Sequence, residues 1–360
     1  MRNGAQDTQL TNQENMIYMG IDVHKRHINV AVMSEHVVLG QNHVEIRDVD
    51  AYMVRLKKKY PDRRLRAAYE AGFSGFALYH QLESLGIETI VVNAADVPTT
   101  DKERTTKSDR ADSLKICHAL KCGQLRKIWV PPDELSGDRD LVRYRLVLRQ
   151  HLAKTKTRIK MFLYKQGVQI PPELESSHWT KAFQAWLKEQ TMTTASSQTT
   201  LMLMLEELQH ADQVYKKHLR RINELALTQR YSHNVDLLYT IPGIGRLTAI
   251  TILTELGPIA RFAKADQLAS YVGLIPMQHQ SGSSDRNMPI QRRAHQELRT
   301  LLVQCSWMAI KGSNHFNMVY EHKRKNKTSQ VAIIAVARRL LNTIYAVLKK
   351  SQPFMESGTN

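Results

Sequence analysis

Cysteine is scarce in this chain, and its spacing does not suit a metal site. Cys117, Cys122 and Cys305 are the only cysteines among 360 residues. An odd number without a CxxC pair argues against a disulfide framework and against a zinc site, and it suits a reducing compartment. We therefore expect a cytoplasmic protein that folds without disulfide bonds.

Long apolar runs are also missing. No stretch approaches the roughly 20 apolar residues that span a bilayer. The N-terminal sequence MRNGAQDTQLTNQEN is too polar for a signal peptide, and residues 1–15 have the composition of a disordered lead. The sequence therefore predicts no membrane partner.

Acidic residues are outnumbered by basic ones. The chain has 34 Asp and Glu against 51 Lys and Arg, a net charge of +17 and an isoelectric point near 9.7. This balance indicates a polyanionic partner, nucleic acid first, because each phosphate that Lys or Arg neutralises releases counterions. With 42% hydrophobic residues, a chain of this length can bury the cores of two or three domains.

The first third of the chain alternates between strand and helix patterns. Short segments rich in Val, Ile and Met predict strands at 16–22, 27–34, 37–46, 65–70 and 87–93. Amphipathic segments between them predict helices at 47–60 and 73–86. Strands first in succession and then alternating with helices predict an α/β layer domain.

Four carboxylates stand at notable positions of this domain. Asp22 and Glu70 each close an apolar strand, whereas Asp109 and Asp112 lie three residues apart in a helical segment and share one face. A two-metal phosphoryl-transfer site needs several carboxylates to neutralise cations that lie about 4 Å apart. The alternative is that each acid is simply a solvated or capping residue.

Residues 136–230 have almost no strand pattern and predict long helices, with a possible coiled coil near 201–227. The segment 191–200 reads as a polar loop. The first helix is crowded with basic residues, which either track phosphates or form a solvated face. They are Arg139, Arg143, Arg145, Arg149, Lys154, Lys156, Arg158 and Lys160.

Two further elements follow this helical region. Pro242, Gly243, Ile244 and Gly245 separate two helical stretches, as in a helix-hairpin-helix that binds phosphate through backbone N–H groups, although a structural turn has the same pattern.

A Ser/Gly loop with Ser281 then follows what reads as a strand-to-loop transition. A hydroxyl before a row of guanidinium groups suits a nucleophile that attacks phosphorus, and a flexible loop before a basic helix is the alternative. The basic side chains behind the loop are Arg286, Arg292, Arg293, His295 and Arg299.

These segments resemble the DEDD-type insertion-sequence transposases, the bridge-RNA-guided recombinases that include relatives of pilin-gene invertases. The resemblance is carried by GIDVHK, YEAG, VVNAADVPTTDKERTTKSDRADS, TIPGIGRLTAITILTELG, RFAKADQLASYVGLIP and QSG. It implies a ribonuclease-H-like (RuvC-like) domain at 16–135, a helical dimerisation arm at 136–235, and a mainly helical serine-bearing domain at 236–350. Residues 351–360 form a tail.

The resemblance also implies roles for individual residues. Asp22, Glu70, Asp109 and Asp112 would hold Mg²⁺ or Mn²⁺, and Ser281, or Ser283 two residues later, would attack DNA. Nucleic acid would contact the remaining site residues, namely Arg110, Gly243, Gly245, Arg286, Arg292, Arg293 and Arg299.

The implied function is an RNA-guided recombinase of a mobile element. Its partners would be donor and target DNA, a guide (bridge) RNA and further copies of the chain, in a bacterial cytoplasm. A Holliday-junction-type endonuclease or a site-specific DNA invertase is the alternative enzyme. A non-catalytic nucleic-acid-binding protein is disfavoured, since such a protein would gain by losing acids near its groove.

Overall fold

The computed structural model describes residues 15–98, 109–174, 179–275 and 295–356, with the side chains of Asp109 and Arg110 left out. The predicted lead at 1–15 therefore lies almost wholly outside the described residues. The chain divides into two compact units, Met1–Pro131 and Pro132–Asn360.

A five-stranded mixed sheet forms the centre of the first unit. Its strands are β1 (Met16–Val23), β2 (His27–Met33), β3 (Val38–Glu45), β4 (Arg64–Glu70) and β5 (Glu88–Val92). They lie in the order β3-β2-β1-β4-β5. The first three strands pair antiparallel, whereas β1 with β4 and β4 with β5 pair parallel.

Helices cover both faces of the sheet. They are α1 (Val49–Lys59), α2 (Ala77–Ser84) and α3 (Asp109–Lys121). Because successive residues of a strand point to opposite faces, Ile17, Met19 and Ile21 pack in the core that contains residues of α1 and α2. Tyr18 packs in the other core, with residues of α3.

The predicted α/β domain is confirmed, and its mixed sheet fits a ribonuclease-H-like domain. Each predicted strand and helix of this unit is present, with ends that differ by a few residues. Continuous apolar runs predicted β1, β2 and β5, because a sheet with helices on both faces buries side chains of both parities.

Gly20 on β1 sets the distance between the sheet and α3. A Cβ atom at this position would lie 2.1 Å from the backbone oxygen of Ser113 and 2.3 Å from the backbone nitrogen of Cys117. Only glycine lets the helix backbone approach so closely. Cys117 also donates a hydrogen bond from Sγ to the Tyr18 carbonyl oxygen at 3.2 Å.

The second unit is helical throughout its described part. Its helices are α4 (Asp133–Lys165), α5 (Lys181–Glu189), α6 (Ala195–Ala226), α7 (Ser232–Tyr239), α8 (Arg246–Leu256), α9 (Ala265–Val272), α10 (Gln296–Gly312), α11 (Asn314–Arg324) and α12 (Ser329–Lys350).

The long helices α4 and α6 pack antiparallel. Thr155 of α4 donates a hydrogen bond to Glu207 of α6, and Tyr144, eleven residues earlier, packs edge-on against His218, eleven residues later. The two helices and α5 share a buried cluster that includes Ile159. We call this antiparallel pair the arm, and its role as a coiled-coil or dimerisation arm stays a prediction.

Two local predictions were wrong. The segment 191–200 is not entirely a loop, because α6 begins at Ala195, and the Thr194 side chain caps it by accepting from the Ser197 backbone N–H. Polar residues suit the first turns of a capped helix, so the absence of apolar residues misled the prediction. The strand predicted before Ser281 is also absent over Tyr271–Val272, where α9 continues to a left-handed Gly273.

The boundaries predicted at 135/136 and 235/236 stay predictions. The division between the compact units falls after Pro131. Within the second unit, Val142 of α4 and Ile222 and Ala226 of α6 belong to the same buried cluster as the C-terminal helices. The base of the arm is therefore part of the C-terminal core.

Helix α12 lies at the centre of that core. Its buried residues include Val336, Leu340 and Ile344. Among the described residues it is the single helix long and apolar enough to cross a membrane, with a mean hydropathy of 1.7 and half of that window buried. The expectation that no apolar stretch approaches this length was therefore wrong, and burial in the core accounts for the composition of α12.

Candidate active site

Asp22 and Glu70 lie side by side at one edge of the sheet. The parallel register pairs Ile21 with Tyr69, and each acid is the next residue of its strand. Both acids therefore have the same parity as Tyr18 and Ala68, which face α3. The carboxyl ends of parallel strands are where open α/β sheets bind ligands.

Helix α3 brings the other two acids toward the same edge. Its backbone at Ser113 and Cys117 crosses Gly20, while Cys117 itself reaches back to Tyr18. The helix thus runs against β1, so its first turn, which contains Asp109 and Asp112, points toward the end of β1. Sequence reasoning placed all four acids in one site, and this topology brings their backbones to one edge of the sheet.

The chemistry of the four acids suits a hard divalent cation. Asp22, Glu70 and Asp112 are half-buried, and carboxylate oxygens are the ligands that Mg²⁺ and Mn²⁺ prefer. Within the described side chains no three His, Cys, Asp or Glu residues form a ready metal cluster. The fit therefore depends on the donor types and the shared edge, with the Asp109 side chain outside the description.

A row of histidines begins at Asp22. The Nε2 atom of His24 lies 2.9 Å from the Asp22 Oδ2 atom, so the imidazole donates to the carboxylate. The His24 ring stacks on His27, and the His27 ring packs on His43, with centroid distances of 4.6 and 4.1 Å. Sequence reasoning missed His24, which directly follows β1 and lies two residues after Asp22.

The glycine-rich turn of the second unit has two different glycines. Gly243 has a φ of +87°, and a Cβ there would lie 2.5 Å from the backbone oxygen of Cys305 on α10. Its close packing explains Gly243 structurally. Gly245 has open space around its Cβ position and precedes the first residue of α8 as its N-cap. Nucleic-acid contact at either glycine stays a prediction.

Ser281, the nucleophile that the resemblance implies, lies outside the described residues. The same holds for Ser283, Arg286, Arg292 and Arg293, and for the side chain of Arg110. Arg299 is described, half-buried in the first turns of α10.

His295 is the first described residue after Ser281. It is held by a buried carboxylate: its Nε2 atom lies 2.8 Å from Glu255 Oε2, and its Nδ1 atom accepts from the backbone of Leu298. Arg143 of α4 donates two hydrogen bonds of 2.7 Å to the same carboxylate.

Electrostatics keep the Glu255 carboxylate charged. Its side chain is only 3% exposed. Burial acts to raise the pKa of Glu255, but hydrogen bonds from Arg143 and His295 and their charges outweigh burial and lower the pKa to about 2. Through Glu255, the start of α10 at His295 is therefore joined to α4 at Arg143.

Two arginines of the basic helix α4 have a structural role. Arg139 is buried and donates to the backbone oxygens of Thr254 and Glu255, and Arg143 pairs with the Glu255 carboxylate. Arg139 does not belong to a phosphate-tracking or solvated face, which corrects the interpretation of this residue. Periodicity does not reveal which basic residues of α4 contact Thr254 and Glu255.

The mixed sheet and its edge of acids fit the class of ribonuclease-H-like enzymes that act on nucleic acids. Two models of known protein families match the sequence and agree with this class. The DEDD transposase model of IS110 elements matches residues 19–166, and the model of the IS116/IS110/IS902 transposase family matches residues 235–321. Together they take up well over half of the chain. The chain belongs to the IS110-type DEDD transposases and is a DNA transposase or recombinase.

Individual relatives agree with this assignment. The protein y4qE of Sinorhizobium fredii, named as a transposase, is 27% identical over 93% of this chain and 89% of its own length. The transposase for insertion sequence element IS1533 of Leptospira borgpetersenii is 27% identical over 67% of this chain and 69% of its own. The pilin gene-inverting protein of Moraxella bovis is 37% identical, over 35% of this chain and 40% of its own.

Proposed function

We propose that this transposase moves an insertion sequence by joining DNA transiently to Ser281 while four carboxylates act on the scissile phosphate. The observation that carries the proposal is the placement of Asp22 and Glu70 on adjacent parallel strands, at the sheet edge toward which α3 carries Asp109 and Asp112.

The four acids would hold Mg²⁺ or Mn²⁺. Bound there, the cation would supply Lewis-acid activation of the phosphate. The Ser281 Oγ atom would lose its proton and form a bond to phosphorus as a bond from phosphorus to a deoxyribose oxygen breaks, and that oxygen takes up a proton and leaves as a hydroxyl. Ser283 is the alternative nucleophile. Arg286, Arg292, Arg293 and Arg299 would orient the phosphate, Arg110 and the backbone at Gly243 and Gly245 adding contacts.

The proposed partners are donor and target DNA, a guide RNA and further copies of the chain. A net charge of +17 supports a polyanionic ligand but does not separate RNA from DNA. The resemblance to bridge-RNA-guided recombinases supports RNA guidance, and the antiparallel pair α4 and α6 offers an arm for dimerisation. RNA that co-purifies with the protein, identified by sequencing, tests guidance directly.

The serine mechanism is tested by trapping. Wild-type protein, incubated with labelled DNA substrate and Mg²⁺ and then denatured, should retain label covalently. Ser281→Ala should lose the adduct, whereas Ser283→Ala is the matched control and should keep it. An adduct that disappears only with Ser283→Ala would move the nucleophile, and recombination without any adduct would contradict a side-chain nucleophile.

The carboxylates are tested separately. Asp22→Ala and Asp112→Ala should abolish recombination with the fold intact, and chelator should do the same to wild type. Removing one of several clustered negative charges should leave thermal stability unchanged or raise it in metal-free buffer. Full activity of wild type in chelator would exclude the metal role.

Site-specific inversion is the second candidate function. The pilin gene-inverting protein of Moraxella bovis is 37% identical over 130 residues, whereas the y4qE protein is 27% identical over 368. An inversion assay on a plasmid with two sites separates the candidates, since an invertase recombines sites within one molecule and a transposase joins its element to new DNA. A Holliday-junction-type endonuclease would yield cut junctions without covalent protein.

A further inference from the structure

A groove in the second unit has no role in the proposed chemistry. It lies between α11 and α12, has a volume of about 570 Å³, and opens beside Leu274, which follows α9. Four of its lining residues are basic, namely Lys323, Lys327, Arg338 and Arg339. All four lie after residue 321, where the matched family segment ends.

The rim of this α11–α12 groove is strongly basic. The sequence from 319 to 342 has six Lys and Arg residues and a single acid, Glu321. Lys323 and Lys327 are exposed, and within the described part of the chain neither forms an ion pair. Arg338 pairs with Asp266 at 2.9 Å, and Arg339 donates to His315 at 3.0 Å.

Helix stability does not account for all of these charges. Basic residues in the last turn of α11, such as Lys323, interact favourably with the helix dipole. The same argument does not apply to Lys327, which lies between the helices, or to Arg338 and Arg339, which lie in the interior of α12. Three of the four cations on the groove therefore need another explanation than the helix dipole.

The floor of the groove is apolar. Val319, Val331 and Ile334 line it, and Val331 is 50% exposed although it belongs to a core helix. In the same wall, the Oδ1 atom of Asn342 is buried without a hydrogen-bond partner among the described residues. A basic rim above an apolar floor complements a sugar–phosphate strand, with phosphates at the lysines and sugar carbons on the valines.

We propose that the α11–α12 groove binds the phosphodiester backbone of duplex DNA, as a site additional to the carboxylates and the serine loop. DNA is favoured because the chain is a DNA transposase or recombinase, and the groove borders the chain just before the serine loop. Ser281 follows Ile275 by six residues, and six extended residues span at most about 22 Å. The chain between the groove and the proposed nucleophile is therefore short.

The test measures duplex affinity against salt concentration in chelator, so the outcome does not depend on the serine or metal chemistry. The variant Lys323→Gln/Lys327→Gln/Arg339→Gln should bind about tenfold or more weakly, with a log–log salt slope smaller by roughly 2–3. The matched control Lys311→Gln/Lys349→Gln/Lys350→Gln removes the same charge from exposed positions of the same unit and should change affinity less than threefold.

Equal losses in the two variants would reduce the effect to net charge and overturn the proposal. A photoreactive residue at Val331 should crosslink to duplex DNA, whereas one at Leu227, which is also exposed, should not. No crosslink at Val331 in a folded protein would contradict the groove. A groove variant that binds duplex normally but loses structured RNA would overturn the assignment to DNA.

Discussion

Single residues decide whether the carboxylates of the first unit share one edge. Gly20 is the sharpest case, because the backbone of α3 lies where its Cβ atom would be. The acids would supply the proposed chemistry, and the absence of a side chain at Gly20 sets how closely α3 approaches β1. The backbone of α3 cannot move away from a Cβ atom at position 20 as the flexible end of a side chain could.

Replacing Gly20 by Ala should therefore displace α3 and destabilise the first unit by about 3 kcal/mol or more. Recombination should fall further than stability alone explains, because Asp109 and Asp112 move with the helix. Urea denaturation and strand exchange measured below the unfolding transition check this. Gly40→Ala is the matched control, since its nearest contact would be the Asn42 side chain at 3.7 Å, and should change stability by less than about 1 kcal/mol.

Glu255 is a buried acid of the second unit that Arg143 and His295 keep charged. Its pKa is lowered from 4.5 to about 2, so its contribution is fully present above pH 4.5 and is lost as the pH falls toward 2. Glu255→Gln should cost roughly 3 kcal/mol at pH 7, because Arg143 and His295 lose a buried charged partner. The exposed Glu206 offers the control Glu206→Gln, with a change below about 0.5 kcal/mol.

The pH dependence separates charge from packing. Urea unfolding of wild type and Glu255→Gln should give free energies that converge as the pH is lowered from 5 to 3, since the wild-type carboxylate loses its advantage. A difference that stays constant over this range would mean that the variant acts through packing alone.

At the scale of elements, α4, α5 and α6 pack together through one buried cluster. Ile159 of α4 is fully buried in the cluster that α4, α5 and α6 share. Ile159→Ala should lower the free energy of unfolding by about 2–5 kcal/mol. Met161, two residues later and 55% exposed, supplies the control Met161→Ala, which should have little effect. Similar losses from both would show that the arm is packed on that face too.

The elements of the first unit could be predicted well from the sequence because each carries its own local pattern. Strand β1 has buried residues of both parities, and α1 has an apolar face of Tyr52, Met53 and Leu56. The start of α6 could not be predicted in this way, because its first residues are polar and its cap is the single hydroxyl of Thr194. The close approach at Gly20 and the network of Glu255 join positions distant in sequence, which periodicity does not reveal.

The candidate site shows the same division. Asp22 and Glu70 could be placed at strand ends from their apolar runs, and their adjacency required the parallel pairing of β1 with β4. The groove of α11 and α12 was missed because its cations lie in a run at 323–327 and a pair at 338–339, which meet only when the two helices pack.

At the scale of the whole molecule, the proposed nucleophile and the carboxylates belong to different compact units. The arm lies between them in sequence and consists of the 33-residue helix α4 and its antiparallel partner α6. A nucleophile must come within roughly 3 Å of the phosphorus that it attacks. A dimer joined through the arm can meet this requirement by pairing the serine of one subunit with the acids of another.

We therefore expect a composite site, in which Ser281 of one copy works beside Asp22, Glu70, Asp109 and Asp112 of another. Ser281→Ala protein mixed with Asp22→Ala protein, each inactive alone, should recover a measurable fraction of strand exchange, since mixed dimers contain one intact pairing. Ser281→Ala mixed with the double variant Ser281→Ala/Asp22→Ala is the control and should stay inactive, because no serine remains. If mixed dimers are demonstrated and activity still does not return, each subunit carries a complete site of its own. A site shared between subunits would keep an isolated copy from cutting DNA, because neither half is competent before two chains have assembled.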